Sequence, residues 1–122
     1  MSVRRILVVD DDAEILSMLS LRLTSRGYAV TTASDGATAL REAVRQPPDV
    51  VLLDVMMPGI SGWEVAKQLR AEPRTAGAKI ILVSAIGATV NEATASISGA
   101  DAHVDKPFEF TALERTIEKV LG

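Results

Sequence analysis

Val50-Val51-Leu52-Leu53-Asp54-Val55-Met56-Met57-Pro58-Gly59 decides the fold. Four apolar residues in a row, with no polar alternation, read as a strand buried on both faces, the pattern of a parallel sheet. The run stops at a carboxylate, and Pro58-Gly59 marks a turn behind it. Other runs share this form. Ile6-Leu7-Val8-Val9 ends in Asp10-Asp11-Asp12, Ile80-Ile81-Leu82-Val83 ends in Ser84, and a shorter stretch around Val104 ends in Lys106-Pro107. In open parallel α/β sheets, ligands sit in the crevice outside the carboxyl ends of the strands. Those ends here offer acid, acid, hydroxyl and ammonium, a set that suits a divalent cation and a phosphoryl group.

Helical patterns fill the gaps. A first helix is predicted from about Ala13 to Arg26, with Ile15, Leu16, Met18, Leu19, Leu21 and Leu23 apolar and Gly27 as its stop. Tyr28 to Ala33 mixes apolar residues with Thr31 and Thr32, as an edge strand does. Ser34-Asp35-Gly36 is a turn and N-cap signal for a helix from about Ala37 to Arg45, which Gln46-Pro47-Pro48 breaks. Ser61-Gly62-Trp63-Glu64 has capping-box spacing and opens a helix to about Ala71, with a surface loop from Glu72-Pro73 through Gly77. Thr89-Val90-Asn91-Glu92 is another such box. The helix behind it, to about Ser98, is rich in Ala, Ser and Thr and is expected to be the least firmly packed. Gly99-Ala100-Asp101 turns into a short last strand, Ala102 to Asp105. Thr111-Ala112-Leu113-Glu114 is expected to cap a final helix with Leu113, Ile117, Val120 and Leu121 in one stripe. Five strand-then-helix units predict a doubly wound α/β fold, (βα)5, forming a single domain over residues 1–122. The chain either acts alone or is one domain of a longer protein.

A net charge of −3 and an apolar content of 48% fit one packed core and exclude a disordered chain. Acidic and basic residues are interspersed, so no basic tract tracks nucleic acid or an anionic membrane. Cysteine is absent, which excludes a disulfide framework and thiolate metal sites. Asp10-Asp11-Asp12 cut the N-terminal apolar run too short for a signal peptide. No run approaches the roughly 20 apolar residues that span a bilayer. The expectation is a soluble cytoplasmic domain that binds neither DNA nor membrane directly.

Asp10, Asp11 and Asp54 crowd together if their strands are neighbours. Two carboxylates ~4 Å apart repel by about 4 kcal/mol at an effective dielectric of roughly 20. Mg2+, which takes one or two carboxylates, several waters and phosphate oxygens, offsets that repulsion. Solvated aspartates at loop starts are the plainer alternative. Asp12, just ahead of the first helix, is read as its N-cap. Asp54 is too far from Ser61 to cap the third helix. A carboxylate is also a nucleophile toward phosphorus and yields an aspartyl-phosphate. Positioning and charge neutralisation then supply most of the catalysis. Lys106 would place a point charge on the phosphoryl oxygens, and Ser84 would donate a hydrogen bond to one of them. Singly, these two fit a surface lysine in a turn and a strand-end hydroxyl that satisfies backbone. Jointly, at the ends of successive strands, they favour phosphoryl chemistry.

With those residues in order, the chain resembles a response-regulator receiver domain, the phosphoacceptor domain of two-component signalling. The matching residues are Asp10-Asp11 after Ile6-Leu7-Val8-Val9; Asp54 ahead of Met56-Met57-Pro58-Gly59 and Gly62; Ser84-Ala85; Gly99-Ala100-Asp101; and Lys106-Pro107-Phe108. The match runs from Arg5 to Val120. The resemblance implies a flavodoxin-like receiver fold with a five-stranded parallel sheet in the order 2-1-3-4-5. It implies that Asp54 takes a phosphoryl group from the phosphohistidine of a sensor histidine kinase or from a phosphotransfer protein. It also implies Mg2+ on Asp11, Asp54 and the backbone carbonyl of Met56, with Asp10 on a metal-bound water. Lys106 and Ser84 would contact the phosphoryl group, and the Lys106-Pro107 bond would be cis. Ser84 would move toward the phosphoryl oxygen and let side chain 103 swing inward. An unknown partner would read the face formed by the fourth helix, last strand and last helix, in a monomer or a phosphorylation-dependent homodimer. Such a domain is no enzyme beyond its own phosphorylation and dephosphorylation.

Two positions depart from the family pattern. His103 stands where Tyr or Phe is usual; as a polar, titratable residue it is expected to be a solvent-exposed histidine, with a pH-sensitive switch as the alternative to the ordinary aromatic one. It has no second nitrogen or sulfur partner and is a poor zinc ligand. Met56 and Ile86 lie two residues beyond the acceptor and the hydroxyl, where the family tunes dephosphorylation. Both are apolar, so slow hydrolysis is expected. Trp63 is read as a packed anchor on the third helix. Three other functions compete. A phosphatase of the haloacid-dehalogenase type would use Asp10 as nucleophile and Asp12 as acid/base, but needs a cap domain. A flavin module needs a hydroxyl- and Gly-rich loop where Asp10-Asp11-Asp12 stands. A receiver reduced to docking has no use for the full acid, hydroxyl and lysine set.

Overall fold

The computed structural model describes residues 3–85 and 99–122. Its strands are β1 (Arg5–Val9), β2 (Ala29–Ala33), β3 (Val50–Asp54), β4 (Lys79–Ala85) and β5 (Ala102–Lys106). They form one parallel sheet in the order β2-β1-β3-β4-β5, as expected. The described helices are α1 (Ala13–Ser25), α2 (Gly36–Arg45), α3 (Gly62–Ala71) and α4 (Phe110–Leu121). The helix expected behind Thr89, and Ile86 with it, lie outside the described residues.

The unbroken apolar runs are buried because the sheet is covered on both faces. Every residue of β3 is buried, and so is β1 from Ile6 onward. Alternate residues feed two cores. Leu7, Val9, Val51, Leu53, Ile80 and Leu82 pack with Ala39 and Ala43 of α2 and Val65 and Leu69 of α3. Ile6, Val8, Val50, Leu52 and Ile81 pack with Leu19 and Leu23 of α1 and Leu113 and Ile117 of α4. Fully burying such side chains stabilises by roughly 1.5–3 kcal/mol each. Among the described residues, no helix is long and apolar enough to cross a membrane.

Local signals set the helix ends. Asp12 accepts from Glu14 N at 2.9 Å and Ile15 N at 3.4 Å and so caps α1. Gly27 follows the end of α1 with φ +96°, where a β-carbon would be strained. Asp35 caps α2 through Thr38 N at 2.7 Å, and Ser61 caps α3 through Glu64 N at 3.3 Å. The last helix differs from expectation. It starts at Phe110 behind Glu109, without a side-chain cap bond, so Thr111 sits inside the first turn instead of capping it. Phe110 packs on the second core and lies under Arg22 and Arg26, which anchors the helix two residues early. Met18 and Leu21, two of the apolar residues of the first helix, are 38% and 74% exposed; a 13-residue helix lying on a sheet buries only its inner face.

Candidate functional site

The register brings the strand ends level. Val9 pairs with Leu53, so Asp10 and Asp54 follow on neighbouring strands. Asp54 pairs with Val83, directly ahead of Ser84, and Ala85 pairs with Lys106. The order β2-β1-β3 reverses direction between β1 and β3, which is the switch point where such sheets bind ligands.

Asp10 and Asp54 are buried, at 3% and 4% exposure, and Asp11 is exposed. One carboxylate oxygen from each of the three lies within 4.8 Å of the others. Lys106 reaches across the end of β4 to them. Its Nζ donates to Asp10 Oδ2 at 2.8 Å and stands 3.6 Å from Asp54 Oδ1. Asp10 Oδ1 accepts from Asp12 N at 2.9 Å, and Asp54 Oδ1 accepts from Met56 N at 3.3 Å. Gly62 opens α3 against this turn: a β-carbon there would fall 2.4 Å from the carbonyl oxygen of Asp54, so only glycine fits.

Burial first, and the Asp10 charge second, push the Asp54 carboxyl up to about 6. Lys106 and the Met56 N–H pull the other way, and Asp11 adds a smaller upward push. For Lys106, burial works against the charged form. The hydrogen bond and charge of Asp10, joined by the charge of Asp54, outweigh it and raise the ammonium above its ordinary value. The cluster is thus crowded with negative charge that one lysine only partly offsets. Ser84 is 1% exposed, and its Oγ has no hydrogen-bond partner among the described residues. An unpaired buried hydroxyl costs about 1–3 kcal/mol, which an arriving acceptor oxygen would recover.

Asp10, Asp11, Asp54, Lys106 and the Ser84 position thus converge on one rim. Asp12 is spent on its helix cap. His103 is exposed on β5, in register with Leu82, and borders a cleft with Lys79, Asp101, Thr116 and Lys119 outside the carboxylate cluster. Met56 is 67% exposed. Trp63 packs on the first core as expected, and its buried Nε1 has no partner among the described residues. The Lys106-Pro107 bond is cis. The ion pair between Lys106 and Asp10 was not anticipated. It joins residues 96 apart, and only the strand order reveals it.

A doubly wound parallel sheet that gathers three carboxylates and a lysine at its switch point defines an α/β domain with an acidic pocket compatible with a divalent cation. Comparison with known proteins narrows the class. The family model described as "response regulator receiver domain" matches residues 6–118, and the chain belongs to that family. A phosphorylation-operated switch is the general function that goes with this membership. The probable transcriptional regulator ycf27 of Pyropia yezoensis is 44% identical over 117 residues, covering 96% of this chain and 47% of that protein. Chemotaxis protein CheY4 of Vibrio cholerae superposes with a TM-score of 0.91 at 31% identity, covering 98% of this chain and 99% of that one. Response regulator TrrA of Thermotoga maritima, solved in complex with Mg(2+)-BeF, superposes at 0.85 with 38% identity, covering 96% and 98%. TrrA has also been solved in complex with histidine kinase ThkA. The chain spans about half the length, or less, of the curated relatives it matches.

Proposed function

We propose that Asp54 is the phosphoacceptor of a two-component switch, charged by the phosphohistidine of a histidine kinase or a phosphotransfer protein. The observation that carries this is a buried carboxylate with an ammonium 3.6 Å away. With its carboxyl titrating near 6, Asp54 is ionised at neutral pH and nucleophilic. A carboxylate oxygen attacks phosphorus, the P–N bond breaks, and the histidine leaves with its electron pair and picks up a proton. Lys106 stands where charge builds on the phosphoryl oxygens, and the Ser84 hydroxyl, without a partner among the described residues, would donate to one of them.

The three carboxylate oxygens within 4.8 Å are hard donors that fit a divalent cation such as Mg2+. Asp11, Asp54 and the Met56 carbonyl would hold it, with Asp10 on a bound water. When bound, the ion supplies charge neutralisation for the incoming phosphoryl group. The chain then acts as a switch and not as a turnover enzyme. Its output is read at the surface of β5, α4 and the helix expected before Gly99, by a partner or by a second copy of the chain. The complex of TrrA with a kinase supports the choice of donor.

Incubation with Mg2+ and acetyl phosphate should add one phosphoryl group by mass to the parent and none to Asp54→Asn. Borohydride trapping should label Asp54. A label on Asp10 would support a phosphatase of the dehalogenase type instead. That reading also needs Asp12 as a free acid/base, whereas Asp12 is occupied with two backbone amides.

A further inference from the structure

Arg70, at the end of α3, ties together separate stretches of chain. Its Nε donates to Gly99 O at 2.9 Å. One terminal nitrogen donates to Ala76 O at 2.9 Å and to Ala78 O, and the other donates to Asp101 Oδ2 at 2.6 Å. The same Asp101 oxygen accepts from Ile80 N at 2.8 Å, and Asp101 N donates to Ile80 O at 2.8 Å. Gly99 has φ +81°, and a β-carbon there would lie 2.9 Å from Arg70 Cγ, so the arginine stem lies directly on the turn. The turn that launches β5 is therefore fastened by two hydrogen bonds to the start of β4 and by two more, from one guanidinium, to α3.

β5 needs such a fastening. Among the described residues it is an edge strand with β4 as its one strand neighbour, and its side chains are half-buried or exposed throughout. Its far end carries Lys106. We propose that Arg70 is a positioning residue for the Asp54 reaction: through Asp101 it fixes where β5 lies along β4, and so holds Lys106 Nζ over Asp10 and Asp54. This rests on the reading of Asp54 as phosphoacceptor. The register runs without a break from Ile81↔Ala102 to Ala85↔Lys106, so play at the Asp101 end is passed along a stiff strand to the lysine. A point charge works by distance, and misplacement by about 1 Å from a remote change can slow a reaction up to about a hundredfold. The planar guanidinium fork serves its several acceptors at once, as an ammonium cannot.

The test is a double-mutant cycle with Arg70→Gln, Lys106→Ala and both changes, reacted with Mg2+ and acetyl phosphate and followed by mass. Arg70→Gln is expected to slow phosphorylation about tenfold when Lys106 is present and to have no further effect once it is alanine. Amide hydrogen exchange, with no phosphodonor added, is expected to speed about tenfold from Val104 to Lys106 and to stay at parental rates in β1 and β3. An unchanged rate, equal slowing in both backgrounds, or faster exchange in every strand alike overturns the proposal. If Arg70→Gln does not fold, Asp101→Asn takes its place in the same cycle, because it keeps an acceptor for Ile80 N and loses the charge that Arg70 grips. A parent that takes up no phosphoryl group defeats the reading of Asp54, and the exchange data alone then decide for or against the clasp.

Discussion

The Asp54 carboxyl sets the pH behaviour of the metal-free protein. It titrates near 6 against an ordinary 3.8, chiefly through burial and then through Asp10. Between those two values the folded chain holds this proton more tightly than the unfolded chain does. Stability from this group is therefore full below about 3.8 and is lost as pH rises through about 6. In EDTA, Asp54→Asn should then be more stable than the parent at pH 7, by about 1–3 kcal/mol, with the gap closing toward pH 4. Thermal melts across that range check it; a gap that persists unchanged at pH 4 would point away from titration. Asp11 is exposed and gives the smallest of the upward pushes on Asp54. Asp11→Asn should stabilise in the same direction by clearly less, and a lower melting temperature for it in EDTA would contradict the crowding.

At the scale of elements, caps and close contacts decide. Asp12→Ala removes the acceptor for two amides of α1 and should cost about 1 kcal/mol in denaturant unfolding while still allowing Asp54 to be phosphorylated. Failure of phosphorylation would return Asp12 to the chemistry. Gly62→Ala meets backbone at 2.4 Å and should cost about 1–3 kcal/mol, despite the better helix propensity of alanine. These same elements show what was legible beforehand. The caps at Asp12, Asp35 and Ser61 are local patterns and could be read directly. The unbroken runs announced buried parallel strands. The start of α4 could not be read, because Phe110 is held by a contact with α1 that no local motif encodes. Strand order came from family resemblance, since periodicity says that strands are buried and not which are neighbours. The Lys106–Asp10 pair and the Arg70 clasp depend on that order, whereas the reason for Gly62 lies in how the loop behind β3 folds back onto Asp54 and Val55.

Taken as a whole, the molecule stores its electrostatic tension at one rim of the sheet and its packing everywhere else. Two apolar cores on opposite faces hold β1 and β3 side by side, and this forces Asp10 and Asp54 together against their repulsion. A cation bound there should stabilise the entire fold by linkage, because the unfolded chain has no such cluster to bind it. At a Mg2+ concentration ~100 times the dissociation constant, the gain is about 2.7 kcal/mol. Mg2+ should therefore raise the melting temperature of the parent at pH 7 and raise that of Asp54→Asn much less. The ranking of the two proteins should narrow or invert between EDTA and saturating Mg2+. Lowering the pH toward 5 should weaken the parental response, since protonated Asp54 is a poorer ligand. Calorimetry with and without Mg2+ at two pH values checks each step, and an equal shift for parent and variant would place the ion elsewhere than on Asp54.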